Sequence, residues 1–100
     1  MNAPSSNSGE IIVRHNVAEC RFEATLHGFV SVAQYTLEID GLIFTHTFVP
    51  PELRGRGIAE KLVRTALEWA KSEQRRIVPA CPYVAVFVER NPAFQSLLRS

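Results

Sequence analysis

Six consecutive residues, Arg54-Gly55-Arg56-Gly57-Ile58-Ala59, have the types and order of an anion cradle. They stand between a β-like run, 42–49, and a strongly helical run that follows directly. The first N–H groups of a helix have no partner inside it, and the helix dipole adds a partial positive charge there. Phosphate groups bind at such sites. Gly57 lets an anion approach the backbone with no Cβ in the way, and Ala59 keeps the first turn slim. Arg54 and Arg56 add fork-shaped cationic donors suited to phosphate oxygens. The competing reading of the same residues is a glycine-softened connection with two solvated arginines. Pro50-Pro51 sharpens the cradle, because proline lacks the ladder donor and ends the strand just before it.

Two further side chains have reactive chemistry. Cys81 stands between Pro79 and Pro82, and the helix expected from Pro82 onward would lower its pKa. His46 lies on the strand leading into the cradle, and a neutral imidazole suits a base near pH 7. Each has a bland alternative, a buried packing thiol and a strand histidine satisfied by its neighbours. Cys20 shares a face with Phe22, Ala24 and Leu26 and reads as a buried apolar thiol. His15 and His27 read as surface or turn residues. No metal-ligand spacing stands out.

The elements that position these groups follow from periodicity. Alternation marks strands at 11–15, 19–26, 29–39 and 42–49. His27-Gly28 and Asp40-Gly41 supply tight turns, the second read as a hairpin requiring positive φ. Consecutive strands with tight turns make an antiparallel meander. The run 56–73 places Ile58, Leu62, Ala66, Trp69 and Ala70 on one stripe, widened by Ala59 and Val63, and reads as one amphipathic helix. A short strand at 76–79 follows, so the connection is a right-handed crossover and the last strand lies parallel to 42–49. A helix from Pro82 through Val88 comes next, then another capped by Asn91 with Pro92 at its first position. The fold class is α+β, an antiparallel meander with a crossover helix and a following parallel strand.

Size and composition bound the alternatives. The chain has 100 residues, 46% of them hydrophobic, with a formal net charge of +1 and two cysteines. That is one domain, expected at 10–100, behind an Asn, Ser, Pro and Gly rich leader at 1–9 read as disordered. The near-zero charge gives no electrostatic case for nucleic acid or membrane. No run reaches the roughly 18 apolar residues of a membrane span. No secretory signal is visible, and the expected location is cytoplasmic.

The segment His46-Thr-Phe-Val-Pro-Pro-Glu-Leu-Arg-Gly-Arg-Gly-Ile-Ala59 resembles the acetyl-CoA-binding region of the GCN5-related N-acetyltransferases, most of all their short Gtn10- or NATD1-like branch. Pro79-Ala80-Cys81-Pro82-Tyr83 and Arg90-Asn91-Pro92 extend the resemblance over about residues 10–98. The resemblance implies a minimal acyl-CoA N-acyltransferase fold and acetyl-CoA or CoA as cosubstrate. It implies that the strands before and after the crossover helix splay apart. The pantetheine arm would run along Phe48 and Val49, with the pyrophosphate held by Arg54, Gly55, Arg56, Gly57, Ile58 and Ala59. Cys81 would then face the thioester as nucleophile, as acid for the leaving thiolate or as a packing residue, and His46 could meet it across the gap. The strand before the cradle offers Thr45, His46 and Thr47 where many members carry a carboxylate base. Tyr83 is near the position of a general-acid tyrosine without a matching spacing. The chain is too short for the helices that usually wall the acceptor site, so the acceptor expected is a protein or peptide lysine. The alternative is a CoA-binding or regulatory domain with weak catalysis. A nucleic-acid module built on Arg54, Arg56, Arg75 and Arg76 is the least favoured reading.

Overall fold

The computed structural model describes residues 11–99, so the expected leader lies outside the described residues. Five strands form one sheet in the order β1-β2-β3-β4-β5. β1 (Val13–Asn16), β2 (Arg21–Leu26), β3 (Phe29–Glu38) and β4 (Gly41–Phe48) make the antiparallel meander. The crossover helix α1 (Ile58–Ser72) leads to β5 (Ile77–Pro79), which pairs parallel to β4. Helix α2 (Pro82–Arg90) and a 3-10 segment, Pro92–Leu97, complete the chain. The architecture is the α+β fold expected from the sequence.

Apolar periodicity explains the packing. The buried stripe of α1 is Ile58, Leu62, Val63, Ala66, Leu67 and Ala70, spaced to cover one helix face. It lies against β1 to β4, while α2 lies against β4 and β5. Phe22, Leu42, Phe44 and Ile77 fill the space between. The reverse face of the sheet, with Val32, Gln34, His46 and Phe48, carries no helix among the described residues.

Several local expectations need correction. Helix α1 starts at Ile58, two residues later than expected, because Gly57 takes a left-handed φ of 78° at the N-cap. Cys20 is half-buried, with φ 54°, in the turn before β2. Its carbonyl accepts from the Tyr35 amide at 3.0 Å, so a turn replaces the expected strand start. Asn91 does not cap the last helical segment through its side chain. Its side-chain Nδ2 instead donates to the Phe87 carbonyl at 2.7 Å, closing the end of α2.

The two hairpin turns have different causes. His27 and Gly28 both take positive φ, 53° and 81°, which suits a two-residue turn between twisted strands. At the second hairpin Glu38 pairs with Gly41, and the turn residues are Ile39 and Asp40. Neither Asp40 nor Gly41 has positive φ. Gly41 is instead required by proximity, since a Cβ there would sit 3.0 Å from the Arg76 carbonyl oxygen.

Candidate active site

The site begins where two parallel strands part. β4 and β5 are in register at Leu42↔Ile77, Ile43↔Val78 and Phe44↔Pro79. Pro79 has no N–H to continue the ladder. One more link follows, from the Cys81 amide to the Phe44 carbonyl at 2.8 Å. Beyond it, β4 continues through Thr45, His46, Thr47 and Phe48 paired only with β3. The other edge of this stretch borders the gap, and its peptide groups are open to an extended partner.

Cys81 stands at the inner end of that gap. It is the N-cap residue of α2, with Pro82 at the first helical position, and it is 6% exposed. Its Sγ lies 3.6 Å from the Thr47 hydroxyl oxygen. Burial pushes the thiol up, but the Val84 amide, the Thr47 hydroxyl, the Tyr83 amide and the Thr47 main chain favour the thiolate. Together they outweigh burial and hold the thiol below its ordinary value. A helix N-terminus acts on cysteine in this direction.

A bulge in β4 decides which side chain meets the thiol. Gln34 pairs with His46 and Tyr35 with Phe44, so Thr45 is the extra residue. An extra residue reverses the inward and outward alternation beyond it. Thr47 pairs with Ala33, whose side chain belongs to the core, and so shares the helix-bearing face with Cys81. His46 is turned to the reverse face, exposed, with its ring stacked toward Phe48 at 6.3 Å between centroids. The meeting of His46 and Cys81 expected across the gap does not occur; Thr47 takes that place.

The outer end of the gap is the loop 50–57. A 3-10 turn, Pro51–Leu53, buries Leu53 and redirects the chain. Arg54 folds back, its Nε donating to the Val49 carbonyl at 3.0 Å. Gly55 and Gly57 have φ of 84° and 78°, and a Cβ on either would meet nothing within 4 Å. The backbone there borders open space, as an approaching anion requires. A hollow of about 250 Å³ lies against this backbone, lined by Val49, Leu53, Arg54, Gly55, Gly57, Ile58, Ala59, Glu60 and Tyr83. A second, of about 360 Å³, adjoins it along Thr47, Phe48, Val49, Arg54, Ala59 and Tyr83. The two share Val49, Arg54, Ala59 and Tyr83, so one concavity runs from the cradle toward Thr47. The predicted cradle residues are thus brought together, except that Arg56 is exposed and lines neither hollow.

Three residues outside the expected site set also line the concavity: Thr47, named from the sequence only as standing where a carboxylate base is usual, Tyr83, weighed there as a general acid without matching spacing, and Glu60. Tyr83 is 41% exposed and lines both hollows. Burial first, then the charge of Glu60, raises its phenol above the ordinary value. Proximity of Tyr83 to the proline-flanked Cys81 was the available signal for it. Thr47 had none, because the bulge leaves no mark in residue types. Among the described residues no three His, Cys, Asp or Glu side chains are grouped to hold a metal ion. Among the same residues no helix is long and apolar enough to cross a membrane.

Comparison with known proteins gives a consistent result. Residues 21–97 match the family model of the GCN5-related N-acetyl-transferases. The chain is 36% identical over 92 residues to Protein NATD1 of Bos taurus, an alignment covering 89% of this chain and 81% of the relative. It is 34% identical over 94 residues to Protein NATD1 of Mus musculus, covering 91% and 86%. With Protein NATD1 of Homo sapiens it shares 34% over 92 residues, covering 89% and 81%.

Proposed function

Because the chain belongs to the GCN5-related N-acetyltransferase family, we propose that it binds acetyl-CoA between β4 and α1 and transfers the acetyl group to a primary amine. One observation carries this reading. The unpaired edge of β4 runs directly into a helix N-terminus fronted by two open, positive-φ glycines. An extended chain of amides ending in a pyrophosphate matches both halves of that surface.

The residues divide the work as follows. The first-turn amides of Ile58, Ala59 and Glu60 hold the pyrophosphate, with Arg54 beside them. The main chain of Phe48 and Val49 aligns the pantetheine arm by strand-like hydrogen bonds. An amide of β4 near Val49 polarises the thioester carbonyl, stabilising charge that develops in the transition state. Transfer forms the N–C bond, breaks the C–S bond and releases a proton from the amine. The departing thiolate takes up a proton, and the Cys81 thiol beside Thr47 is positioned to supply it. Tyr83, with its raised pKa, keeps a proton at neutral pH and is a second donor on the same concavity. No helix among the described residues covers the reverse face of the sheet, and an open approach to the thioester favours a lysine of a protein or peptide over a small amine.

A second reading, CoA binding with weak turnover, is favoured by one placement. His46, the imidazole suited to deprotonate an amine, sits on the reverse face of the sheet. Two measurements separate the readings. At 100 times its dissociation constant, CoA should raise the melting temperature by about 10 to 20 °C. Adding a lysine peptide to acetyl-CoA and protein should then release CoA thiol in proportion to protein. A shift without thiol release favours the second reading. No shift with CoA or acetyl-CoA overturns both.

A further inference from the structure

Positive charge gathers at the far end of α1 from the cradle. A hollow of about 310 Å³ lies where α1 gives way to β5, lined by Lys71, Gln74, Arg75, Arg76, Ser96 and Leu97. Three of these six are cations and none is an acid, on a chain whose formal net charge is only +1. The 15 residues of α1, roughly 22 Å at 1.5 Å per residue, separate it from the cradle. Cations after a helix commonly serve its last carbonyls. Here main-chain amides do so: those of Glu73, Arg75 and Gln74 donate to the carbonyls of Trp69, Ala70 and Lys71 at 2.9, 2.9 and 3.1 Å. Gln74 takes φ of 56°, the left-handed residue of such a helix ending.

Acids do not occupy these cations either. Among the described residues none of the three forms an ion pair. Glu38 and Asp40, on the hairpin near Arg76, are engaged by Arg99 at 3.1 and 2.8 Å, and Glu73 lies outside the lining. Neutral partners orient both arginines instead. Arg76 Nη1 donates to the Ser96 carbonyl at 2.8 Å, and the Arg75 guanidinium lies over the Trp69 ring, 5.6 Å from its centroid. Each contact leaves most of the five guanidinium N–H donors for another partner. Three cations facing one hollow with no acid among them make a site that an anion completes. We propose that this hollow binds a pyrophosphoryl group, as inorganic pyrophosphate or on a nucleoside diphosphate. One phosphate monoester carries about 1.5 to 2 negative charges at neutral pH, so two joined phosphoryl groups match three cations. Forked guanidinium donors suit their oxygens, and Gln74 and Ser96 add an amide and a hydroxyl. The anion ties the last turn of α1, the linker 73–76 and the 3-10 segment together. This site is separate from the cradle and does not rest on the acetyl-CoA reading.

The cradle also attracts anions, so the test is made in Ala59→Glu, whose carboxylate repels an anion from the N-terminus of α1. Pyrophosphate titrated calorimetrically into this variant at physiological ionic strength should bind saturably with one-to-one stoichiometry. Adding Lys71→Gln or Arg75→Gln should weaken that binding about tenfold, the worth of a charge-assisted contact. Both side chains are exposed, so each substitution should leave the melting temperature unchanged. Adding Arg14→Gln, on β1 and outside the hollow, should keep the affinity within about twofold. A parallel titration with ADP distinguishes the sources. Binding as tight as that of pyrophosphate, or tighter, supports the site with a nucleoside diphosphate as ligand; weaker binding supports it with the free anion. No saturable pyrophosphate binding by Ala59→Glu would overturn the site. An affinity that survives both hollow substitutions, or falls equally with Arg14→Gln, would overturn it too.

Discussion

The Cys81 thiol lies 3.6 Å from the Thr47 hydroxyl, across the gap that opens where β5 leaves β4. Removing the hydroxyl should raise the thiol pKa, because burial then faces fewer opposing groups. Alkylation of Cys81, followed by peptide mass spectrometry across pH, should show a midpoint below the ordinary thiol value of 9.0. In Thr47→Val the midpoint should move up. Cys81→Ala should lower acetyl transfer by about 100-fold if the thiol passes a proton or the acetyl group. An unmoved midpoint would remove Thr47 from this role, and full transfer by Cys81→Ala would leave the thiol as a packing residue.

His46 offers the opposite expectation. The bulge at Thr45 turns its ring to the reverse face of the sheet. His46→Ala should therefore keep kcat/KM for acetyl transfer within about threefold of wild type. A loss of about 100-fold or more, the usual size of a missing general base, would place the imidazole in the reaction.

The meander, the crossover helix and the anion cradle were legible because each rests on a local signal. Alternation marked the strands, a 3.6-residue stripe marked α1, and glycines after Pro50-Pro51 marked the cradle. What the residue types did not show was long-range. The bulge that exchanges His46 for Thr47 depends on how β4 registers against β3. Gly41 looked like a turn glycine, yet it is required by the Arg76 carbonyl of a distant segment. Tyr83 borders the cradle only because α2 packs beside α1.

Gly57→Ala isolates a backbone effect. A Cβ there meets nothing within 4 Å, yet φ is 78°. The cost is conformational, about 1 to 2 kcal/mol for a side chain in the left-handed region, which lowers the melting temperature by about 4 to 16 °C. A melt unchanged within error would mean that the loop relaxes to another conformation.

Acid should destabilise the fold through His15. Its ring stacks on Phe22 at 4.0 Å, meets Trp69 edge-on at 4.5 Å, and its Nε2 is 2.7 Å from the Tyr35 hydroxyl. Burial depresses its pKa from the ordinary 6.5, so the folded chain binds this proton less readily than the unfolded chain. The stabilising contribution is full above pH 6.5 and is lost as pH falls through the lowered native value. Glu23, depressed from 4.5 chiefly by its Arg21 and Asn16 hydrogen bonds, acts the same way at lower pH. Melting temperatures should therefore fall as pH drops below about 6.5, and His15→Gln should flatten that slope. An equally steep slope in His15→Gln would assign the effect elsewhere.

Acetyl-CoA binding in the cradle is tested most directly by titrating wild type and Ala59→Glu with acetyl-CoA in a calorimeter. Ala59 lines both hollows. A glutamate there favours the helix N-terminus electrostatically, so the variant should fold, but it repels and displaces a pyrophosphate. Wild type should bind saturably with one-to-one stoichiometry, and the folded variant at least about tenfold more weakly. No saturable binding by wild type, or equal affinity in the two proteins, would contradict acetyl-CoA binding at the N-terminus of α1.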